Sequence, residues 1–286
     1  MSDATPKKIW ESNDAARPVM EENLQYHIRC KNGDVGRYVL LPGDPDRVDV
    51  IAGEWTESRF VASNREHCTY AGRLGYVPVT CCSTGVGGGS ASIALEELAA
   101  LGADTFIRVG SCGAISEEVE CGELIVCSGA MRQDGTSAEY IDLSYPAAAH
   151  YEVTTALVEA CERLDLPYHV GVSCTTSSFY CGQARPGYNG YTQSFFENRV
   201  EDLNRAGVMN FEMEAATIFT LSGIYGFRSG AIFAVVAHRL KNKFRYEGVD
   251  RSVLAANEAV RILAEWDAKK AAANKKYWFP GLARRP

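Results

Sequence analysis

Several classes of protein are excluded by what this chain of 286 residues lacks. No apolar run reaches the roughly 18 residues that a membrane-spanning helix needs, and the polar start MSDATPKKIW has no apolar signal-peptide segment. The formal net charge is −7 and no basic stripe crosses the body of the chain, so nucleic acid is not an expected partner. We therefore expect a cytoplasmic protein.

The ten cysteines include no C-x-x-C pair, and several of them lie in apolar, strand-like runs (Cys81, Cys82, Cys127 and Cys174). Buried thiols are therefore expected in place of metal ligands or disulfides. The length and the 46% hydrophobic content allow a large core. We predict one α/β domain from 24 to 273, between a flexible N-terminal arm (1–23) and a basic C-terminal tail (274–286).

The stretch from Val77 to Ala114 has the pattern of a strand, a glycine-rich turn, a helix and a second strand. The predicted helix runs from about Ser90 to Leu101, and the second strand covers Thr105 to Val109. Such a βαβ unit builds parallel sheet. A glycine-rich turn at a helix N-terminus can hold phosphate, although close helix packing explains the same glycines.

A dinucleotide-binding fold is one interpretation of this stretch, because Gly85, Gly87 and Ser90 loosely imitate its fingerprint. That fingerprint also requires an acid at the end of the next strand, to hold a ribose diol. Here the strand carries Arg108 instead. An arginine in an apolar strand is costly unless an anion or a hydrogen-bonding network awaits it.

Two strand ends carry groups suited to an anion. Gly43 and Arg47 follow one predicted strand, where a turn and a helix start would also explain them, and Arg108 and Ser111 belong to another. In open parallel sheets, ligands bind beyond the carboxyl ends of strands. The two groups therefore predict a shared site.

Two later segments suit other parts of a ligand. The loop with Phe179, Gln183 and Arg185 offers a ring, an amide and a guanidinium, which match a flat heterocycle, unless it is only a surface loop. Glu212 and Glu214 stand where acids complement a helix dipole, yet a carboxylate there can also hold sugar hydroxyls.

Four stretches in order resemble the uridine phosphorylases of the nucleoside phosphorylase superfamily: LPGDPDRV, STGVGGGSASIALEELAALGADTFIRVGSCGAI, FYCGQAR and NFEMEAATIF. The resemblance runs from about Tyr26 to the final helix. It implies a three-layer α/β/α sandwich around a large mixed, partly barrel-like sheet. It also implies reversible phosphorolysis of uridine to uracil and ribose 1-phosphate, a pentosyl transfer of pyrimidine salvage.

The resemblance assigns roles to individual residues. The implied phosphate-binding residues are Gly43, Arg47, Arg65, Arg108 and Ser111. The implied nucleoside-binding residues are His27, Phe179, Gln183, Arg185, Glu212, Met213 and Glu214. The residues implied in catalysis are Arg108, Gln183, Arg185 and Glu214. His27 and Arg65 match residues that relatives insert from the neighbouring subunit, so the active site is expected to require a homodimer, alone or within a hexamer.

The resemblance implies no required cofactor, with inorganic phosphate as co-substrate. Glu66, Val86 and Ser90 match positions that hold a metal cation between subunits in some relatives, although Glu66 also suits a surface charge. Purine members place an aspartate after the strand that here ends at Ala237, where this chain has His238 and Arg239, so a pyrimidine is the expected base. Cys112 and Cys181 depart from the common pattern and leave the choice between uridine and deoxyuridine or thymidine open.

Three other functions stay open from the sequence. A dinucleotide-dependent oxidoreductase is disfavoured by the missing acid, and a non-catalytic nucleoside-binding relative is disfavoured by the retained arginines. A purine nucleoside phosphorylase is the third. His238 receives no role.

Overall fold

The computed structural model describes residues 15–283, for residue 21 the backbone only. The strands are β1 (Tyr38–Pro42), β2 (Glu57–Asn64), β3 (His67–Leu74), β4 (Val77–Cys82), β5 (Thr105–Ala114), β6 (Leu124–Gln133), β7 (Ala147–Ala148), β8 (Tyr168–Thr176), β9 (Val208–Glu212), β10 (Arg228–His238) and β11 (Lys243–Phe244). The α-helices are α1 (Asp46–Gly53), α2 (Gly88–Ala100), α3 (Thr136–Tyr140), α4 (Tyr151–Arg163), α5 (Arg199–Arg205), α6 (Ala215–Tyr225), α7 (Val249–Ala272) and α8 (Pro280–Ala283). Short 3₁₀ helices occupy Glu21–Asn23, Cys181–Gln183, Tyr188–Gly190 and Ser194–Phe196.

The predicted strand, turn, helix and strand are present as β4, α2 and β5, with two shifts in their bounds. Helix α2 begins at Gly88, directly after Gly87, whose φ of 95° only glycine adopts readily. A β-carbon on Gly88 would lie 2.3 Å from the Thr217 hydroxyl, so the turn also packs closely on α6. Strand β5 continues beyond Val109 to Ala114, because its second half pairs with β10.

Part of the sheet closes on itself. Strand β5 pairs with β10, β10 with β6, β6 with β8, β8 with β9, and β9 returns to β5. The rest of the sheet extends from β5 through β1, β4, β3 and β2. The residues described form one mixed sheet of eleven strands, and the predicted fold class, with its partly barrel-like sheet, is confirmed.

The closure determines which groups meet at the site. Strands β1 and β10 run parallel to β5, so Pro42 and His238 lie toward its carboxyl end. Strand β9 runs antiparallel to β5, with Phe211 opposite Gly113. The chain that leaves β9 therefore returns over β5, toward Arg108.

Helices cover both faces of the sheet. Successive residues of a strand point to opposite faces, so adjacent residues pack against different helices. Leu40 packs with the side chains of α1, α4 and α7, whereas the adjacent Val39 packs with those of α2 and α6. Both leucine and valine are fully buried. Of the helices described, none combines the length and apolar character needed to cross a bilayer.

The described parts of both terminal segments contact the domain. Met20 is buried, and Val19 forms a β-bridge with Gln25, while residues 1–14 of the predicted arm lie outside the described residues. In the basic tail, Trp278 stacks on Trp266 at 4.6 Å between ring centroids. Described residues of both predicted terminal segments therefore pack on the predicted domain from 24 to 273.

Candidate active site

A cleft of about 920 Å³ opens at the carboxyl ends of β1, β5 and β10. This volume is in the usual range for small-molecule sites and is ample for a nucleoside with phosphate. Most of the predicted site residues line it, namely Gly43, Arg47, Arg108, Ser111, Phe179, Gln183, Arg185, Glu212, Met213 and Glu214. The fold therefore brings together residues that lie up to 171 positions apart in the chain, the span from 43 to 214.

One end of the cleft is built for an anion. Arg108, only 5% exposed, has its Nη1 without a hydrogen-bond partner among residues 15–283. A β-carbon on Gly43 would lie 3.8 Å from this Nη1 and 3.2 Å from the carbonyl oxygen of Gly85. The missing side chain at Gly43 thus leaves space beside a buried, unused cationic donor.

Arg47 belongs to the same end. It lies in the first turn of α1, and its guanidinium is buried. Its Nη1 donates to the carbonyl of Val109 at 3.1 Å, and its Nη2 donates to the hydroxyl of Tyr246 at 3.3 Å. These two hydrogen bonds fix the direction of the guanidinium fork before any ligand binds.

Two buried glutamates face Arg108. Its Nη2 forms an ion pair with Oε2 of Glu214, and its Nε donates to Oε2 of Glu212 at 3.3 Å. The backbone N–H of Gly87 donates to Oε1 of Glu214 at 2.6 Å. The glycine-rich turn therefore holds a protein carboxylate in this structure, which sequence reasoning did not foresee.

The pKa of Glu214 is raised above the usual glutamate value. Complete burial is the main cause, the Arg108 guanidinium opposes it, and the negative charge of Glu212 adds to it. The Glu214 carboxylate therefore takes up a proton at a higher pH than an ordinary glutamate does.

Glu212 has a different surrounding, although it also lines the cleft. Its carboxylate accepts hydrogen bonds from the backbone N–H groups of Glu214 and Ala215, each at 2.9 Å, and from the hydroxyl of Thr175. With Arg108, these donors occupy most of its acceptor capacity. Glu212 caps the start of α6 and fixes the position of Glu214.

The other end of the cleft holds the amide and guanidinium predicted for a heterocycle. Arg185 Nη1 donates to Oε1 of Gln183 and, at 2.9 Å, to the carbonyl of Phe179, whose ring centroid lies 4.0 Å from the guanidinium carbon. The Nε2 of Gln183 donates to the hydroxyl of Thr176 at 3.2 Å. Burial and the neighbouring Arg239 lower the pKa of Arg185 to about 10, so it stays charged at neutral pH.

Arg239 also belongs to this end of the cleft, although sequence reasoning assigned it no role. It follows β10 and donates to the carbonyls of Gln183, at 2.7 Å, and Ala184, at 3.2 Å. Ala184 has a φ of 53°, which a residue with a side chain rarely adopts. Arg239 therefore holds a strained turn beside the amide of Gln183, and an arginine at a strand end was the signal that could have shown it.

His27 and Arg65 are not brought into this cleft. His27 Nδ1 lies 2.6 Å from Oε1 of Glu97, and its ring meets the edge of Tyr26. The guanidinium of Arg65 lies 5.9 Å from the centroid of the same Tyr26 ring, and Asn64 donates to the carbonyl of His27 at 2.7 Å. The two residues therefore share a second surface, around Tyr26, and neither of them lines the cleft of their own chain.

The predicted cation residues lie at the cleft or in contact with a residue that lines it. Glu66 and Val86 line the cleft, and the Ser90 hydroxyl donates to Oε1 of Glu66 at 2.6 Å. The described residues contain no cluster of three or more His, Cys, Asp or Glu side chains able to hold a metal ion. The three predicted residues supply one carboxylate, one hydroxyl and backbone oxygens, which are ligands of hard cations.

Comparison with known proteins gives consistent results. Residues 37–273 match the Phosphorylase superfamily. The chain is 55% identical over 268 residues to a uridine phosphorylase of Thermococcus kodakarensis, covering 94% of this chain and 97% of that protein. It is 37% identical over 249 residues to a uridine phosphorylase of Escherichia coli, covering 86% and 98%. It is also 39% identical over 211 residues to a guanosine phosphorylase of Halorubrum lacusprofundi, covering 74% and 82%.

Proposed function

This chain belongs to the phosphorylase superfamily, and we propose that it catalyses the reversible phosphorolysis of uridine to uracil and ribose 1-phosphate. The observation that carries the proposal is the unpartnered Nη1 of Arg108 beside Gly43, a buried cationic donor with space for an oxyanion. The relatives named uridine phosphorylase support the nucleoside. The family favours this function over a dinucleotide-dependent oxidoreductase.

Phosphate is the proposed nucleophile. The forks of Arg47 and Arg108 would hold it, with the hydroxyl of Ser111 and the N–H of Gly43 as neutral donors. Because the dianion already carries the electrons that form the new bond to C1′, no protein base is needed. The contribution of the arginines is to hold the attacking oxygen in line with the bond that breaks.

Glu214 and Met213 are proposed to hold the ribose. The Glu214 carboxylate would accept hydrogen bonds from the 2′ and 3′ hydroxyls, with Met213 packed against the sugar. As the bond from C1′ to the base breaks, positive charge grows on the sugar ring, and a fixed anion nearby stabilises that charge. Gly87 and Arg108 hold the carboxylate in place before the substrate arrives.

Gln183 and Arg185 are proposed to bind the base, with Phe179 beside its ring. In the structure, Gln183 Oε1 accepts a hydrogen bond from Arg185, and Gln183 Nε2 donates to Thr176. These two bonds fix the orientation of the amide, so that its oxygen, an acceptor, lies beside the Arg185 guanidinium, a donor. Uracil offers the complementary pair, an N–H beside carbonyl oxygens. As uracil departs, negative charge develops on those oxygens, and the Arg185 guanidinium would stabilise it.

A purine nucleoside is the second candidate substrate, because the chain is also similar to a guanosine phosphorylase. The difference between the two substrates is decided at the base end of the cleft, where His238 and Arg239 stand. Neither is an acid, which keeps the pyrimidine as the first choice.

The substrate proposal is tested by ultraviolet absorbance. We expect phosphate-dependent release of uracil from uridine and little release of guanine from guanosine under the same conditions. Arg185→Ala should lower the uridine rate by about 100-fold to 1,000-fold, because one donor to the developing charge is lost. Arg261→Ala, at a half-buried arginine outside the cleft that pairs with Glu258, is the matched control. Preferred turnover of guanosine, or nucleoside binding with no turnover, would contradict the proposal.

A shared active site is proposed from the second surface. His27 and Arg65 both lie against the Tyr26 ring there and do not line their own cleft, as expected for groups that a homodimer delivers to the partner's site. Arg65 would add a third guanidinium to the phosphate, and His27 would reach the 5′ end of the sugar. Light scattering, which measures the molar mass of the assembly, distinguishes a dimer from a hexamer.

Mixed dimers test this sharing. We expect that neither Arg65→Ala nor Glu214→Gln dimers turn over uridine efficiently, while co-expression restores about a quarter of the normal rate, since half of random dimers then contain one intact site. Activity equal to the sum of the two separate variants would contradict a shared site. Pairing Glu214→Gln with Gln183→Ala, which damages the same cleft, is the negative control.

Three finer proposals depend on this function. A hard cation held by Glu66, Ser90 and a backbone oxygen of Val86 would join two subunits without taking part in bond breaking. Salvage of pyrimidines in the cytoplasm is the proposed role. All ten cysteines are free, and burial is the main cause that raises the thiol pKa of nine of them. Free thiols suit a reducing compartment.

A further inference from the structure

One residue of the anion end of the cleft belongs to neither a motif nor a predicted site. Tyr246 lies in the segment from Asn242 to Glu247, which follows β10 and leads into α7. The segment forms one wall of the cleft through Asn242, Lys243, Phe244 and Tyr246. Tyr246 is 63% exposed, yet its hydroxyl contacts the buried Arg47.

Both ends of this segment are anchored. At its start, Lys243 and Phe244 pair with β10, and Arg245 N–H donates to the carbonyl of Val236 at 2.9 Å. At its end, Gly248 packs so closely on Gly122 that a β-carbon would lie 2.5 Å from the Gly122 carbonyl oxygen. The position of Tyr246 next to Arg47 is therefore determined by the contacts at both ends of the segment.

The hydroxyl of Tyr246 acts as a hydrogen-bond acceptor, and its proton is still available for donation. It accepts a hydrogen bond from Arg47 Nη2 at 3.3 Å, and the same oxygen carries a proton that it can donate. An oxyanion bound by the Arg47 guanidinium would lie within hydrogen-bonding distance of Nη2. The Tyr246 hydroxyl is hydrogen-bonded to the same nitrogen, so it lies close enough to donate to that oxyanion. The geometry thus places a neutral donor at the rim of the proposed phosphate position.

We propose that Tyr246 is a phosphate-binding residue whose hydroxyl accepts from Arg47 and donates its own proton to the bound phosphate. The inference rests on the proposed function for the identity of the anion. Phosphate would then link Arg47 to the segment from Asn242 to Glu247 and hold that wall of the cleft in place. The exposed ring of Phe244 on the same segment would be fixed over the cleft as a result.

The test is a calorimetric titration of inorganic phosphate into the full-length protein without nucleoside. Tyr246→Phe removes only the hydroxyl of a mostly exposed side chain, and Arg47 keeps its hydrogen bond to Val109, so the thermal midpoint without phosphate should fall only slightly. We expect about tenfold weaker phosphate binding, the effect of one hydrogen bond to a charged group. Tyr76→Phe, at an exposed tyrosine outside the cleft, is the matched control and should bind phosphate normally.

Two further measurements separate direct binding from a general structural effect. The phosphate KM should rise about tenfold in Tyr246→Phe, while the uridine KM at saturating phosphate stays within about twofold. Phosphate should slow tryptic cleavage after Lys243 and Arg245 in the unmodified protein and not in the variant. Equal phosphate affinity of the two proteins would overturn the proposal.

The titration also distinguishes failure of this inference from failure of the proposed function. If phosphate binds more weakly to Tyr246→Phe but uridine is not turned over by the unmodified protein, the role of Tyr246 stands and the activity does not. If uridine is turned over normally and both proteins bind phosphate equally, only the role of Tyr246 is wrong. An unmodified protein that binds no phosphate would overturn both.

Discussion

Replacement of Arg108 by methionine is expected to lower phosphate-dependent uridine turnover by at least about 1,000-fold, because Arg108 is proposed to hold the nucleophile in the reaction. Methionine keeps much of the side-chain volume but removes every donor. Initial rates of uracil release at several phosphate concentrations measure the effect. A variant that keeps more than a tenth of the normal rate would show that the anion end of the cleft is wrongly assigned.

The same change is expected to destabilise the protein. Without Arg108, the carboxylates of Glu212 and Glu214 stay buried without their cation, and breaking such a buried pair costs about 3–5 kcal/mol. The double variant Arg108→Met, Glu214→Gln removes one of the two stranded charges. We expect it to recover part of the thermal stability and none of the activity, which separates the structural role of the ion pair from the proposed catalytic one.

Glu214→Gln is expected to lower kcat for uridine by about 100-fold to 1,000-fold, because a neutral amide cannot stabilise positive charge on the sugar as the carboxylate does. Phosphate should bind to this variant more tightly than to the unmodified protein, or equally well, because Arg108 Nη2 loses its ion pair and becomes available to the anion. Steady-state kinetics and phosphate titration measure the two effects. Weaker phosphate binding in this variant would contradict the proposed division of roles.

The pH dependence of turnover gives a second readout of Glu214. Its pKa is raised by burial, so the carboxylate takes up a proton at a higher pH than an ordinary glutamate does. Turnover at saturating phosphate should therefore fall as the pH drops through that raised value, and Glu214→Gln should lack this decrease. The ionisation of phosphate itself affects both proteins alike, so the difference between the two profiles reports the carboxylate.

The amino-acid sequence by itself determined the strands and helix starts around the site, and it indicated the ten predicted residues that line the cleft. The apolar run of β1 and the glycines before α2 are local signals, since strand propensity, turn conformation and helix starts depend on neighbours in the chain. Arg108 could be recognised because a charge inside an apolar strand needs a partner wherever the strand is buried. These signals, together with the order of four motifs, also predicted the fold class.

Only the tertiary structure decided which partners these residues have. The pairing of β9 antiparallel to β5 brings Glu212 and Glu214 to Arg108, and no local pattern encodes a pairing between strands about a hundred residues apart. The same closure of the sheet aims Arg239 at the carbonyls of Gln183 and Ala184. Tyr246 had no sequence signal, because its contact with Arg47 arises from the path of a segment anchored at both ends. Local sequence thus selects the elements and their charged residues, whereas long-range strand pairing selects the contacts that make them a site.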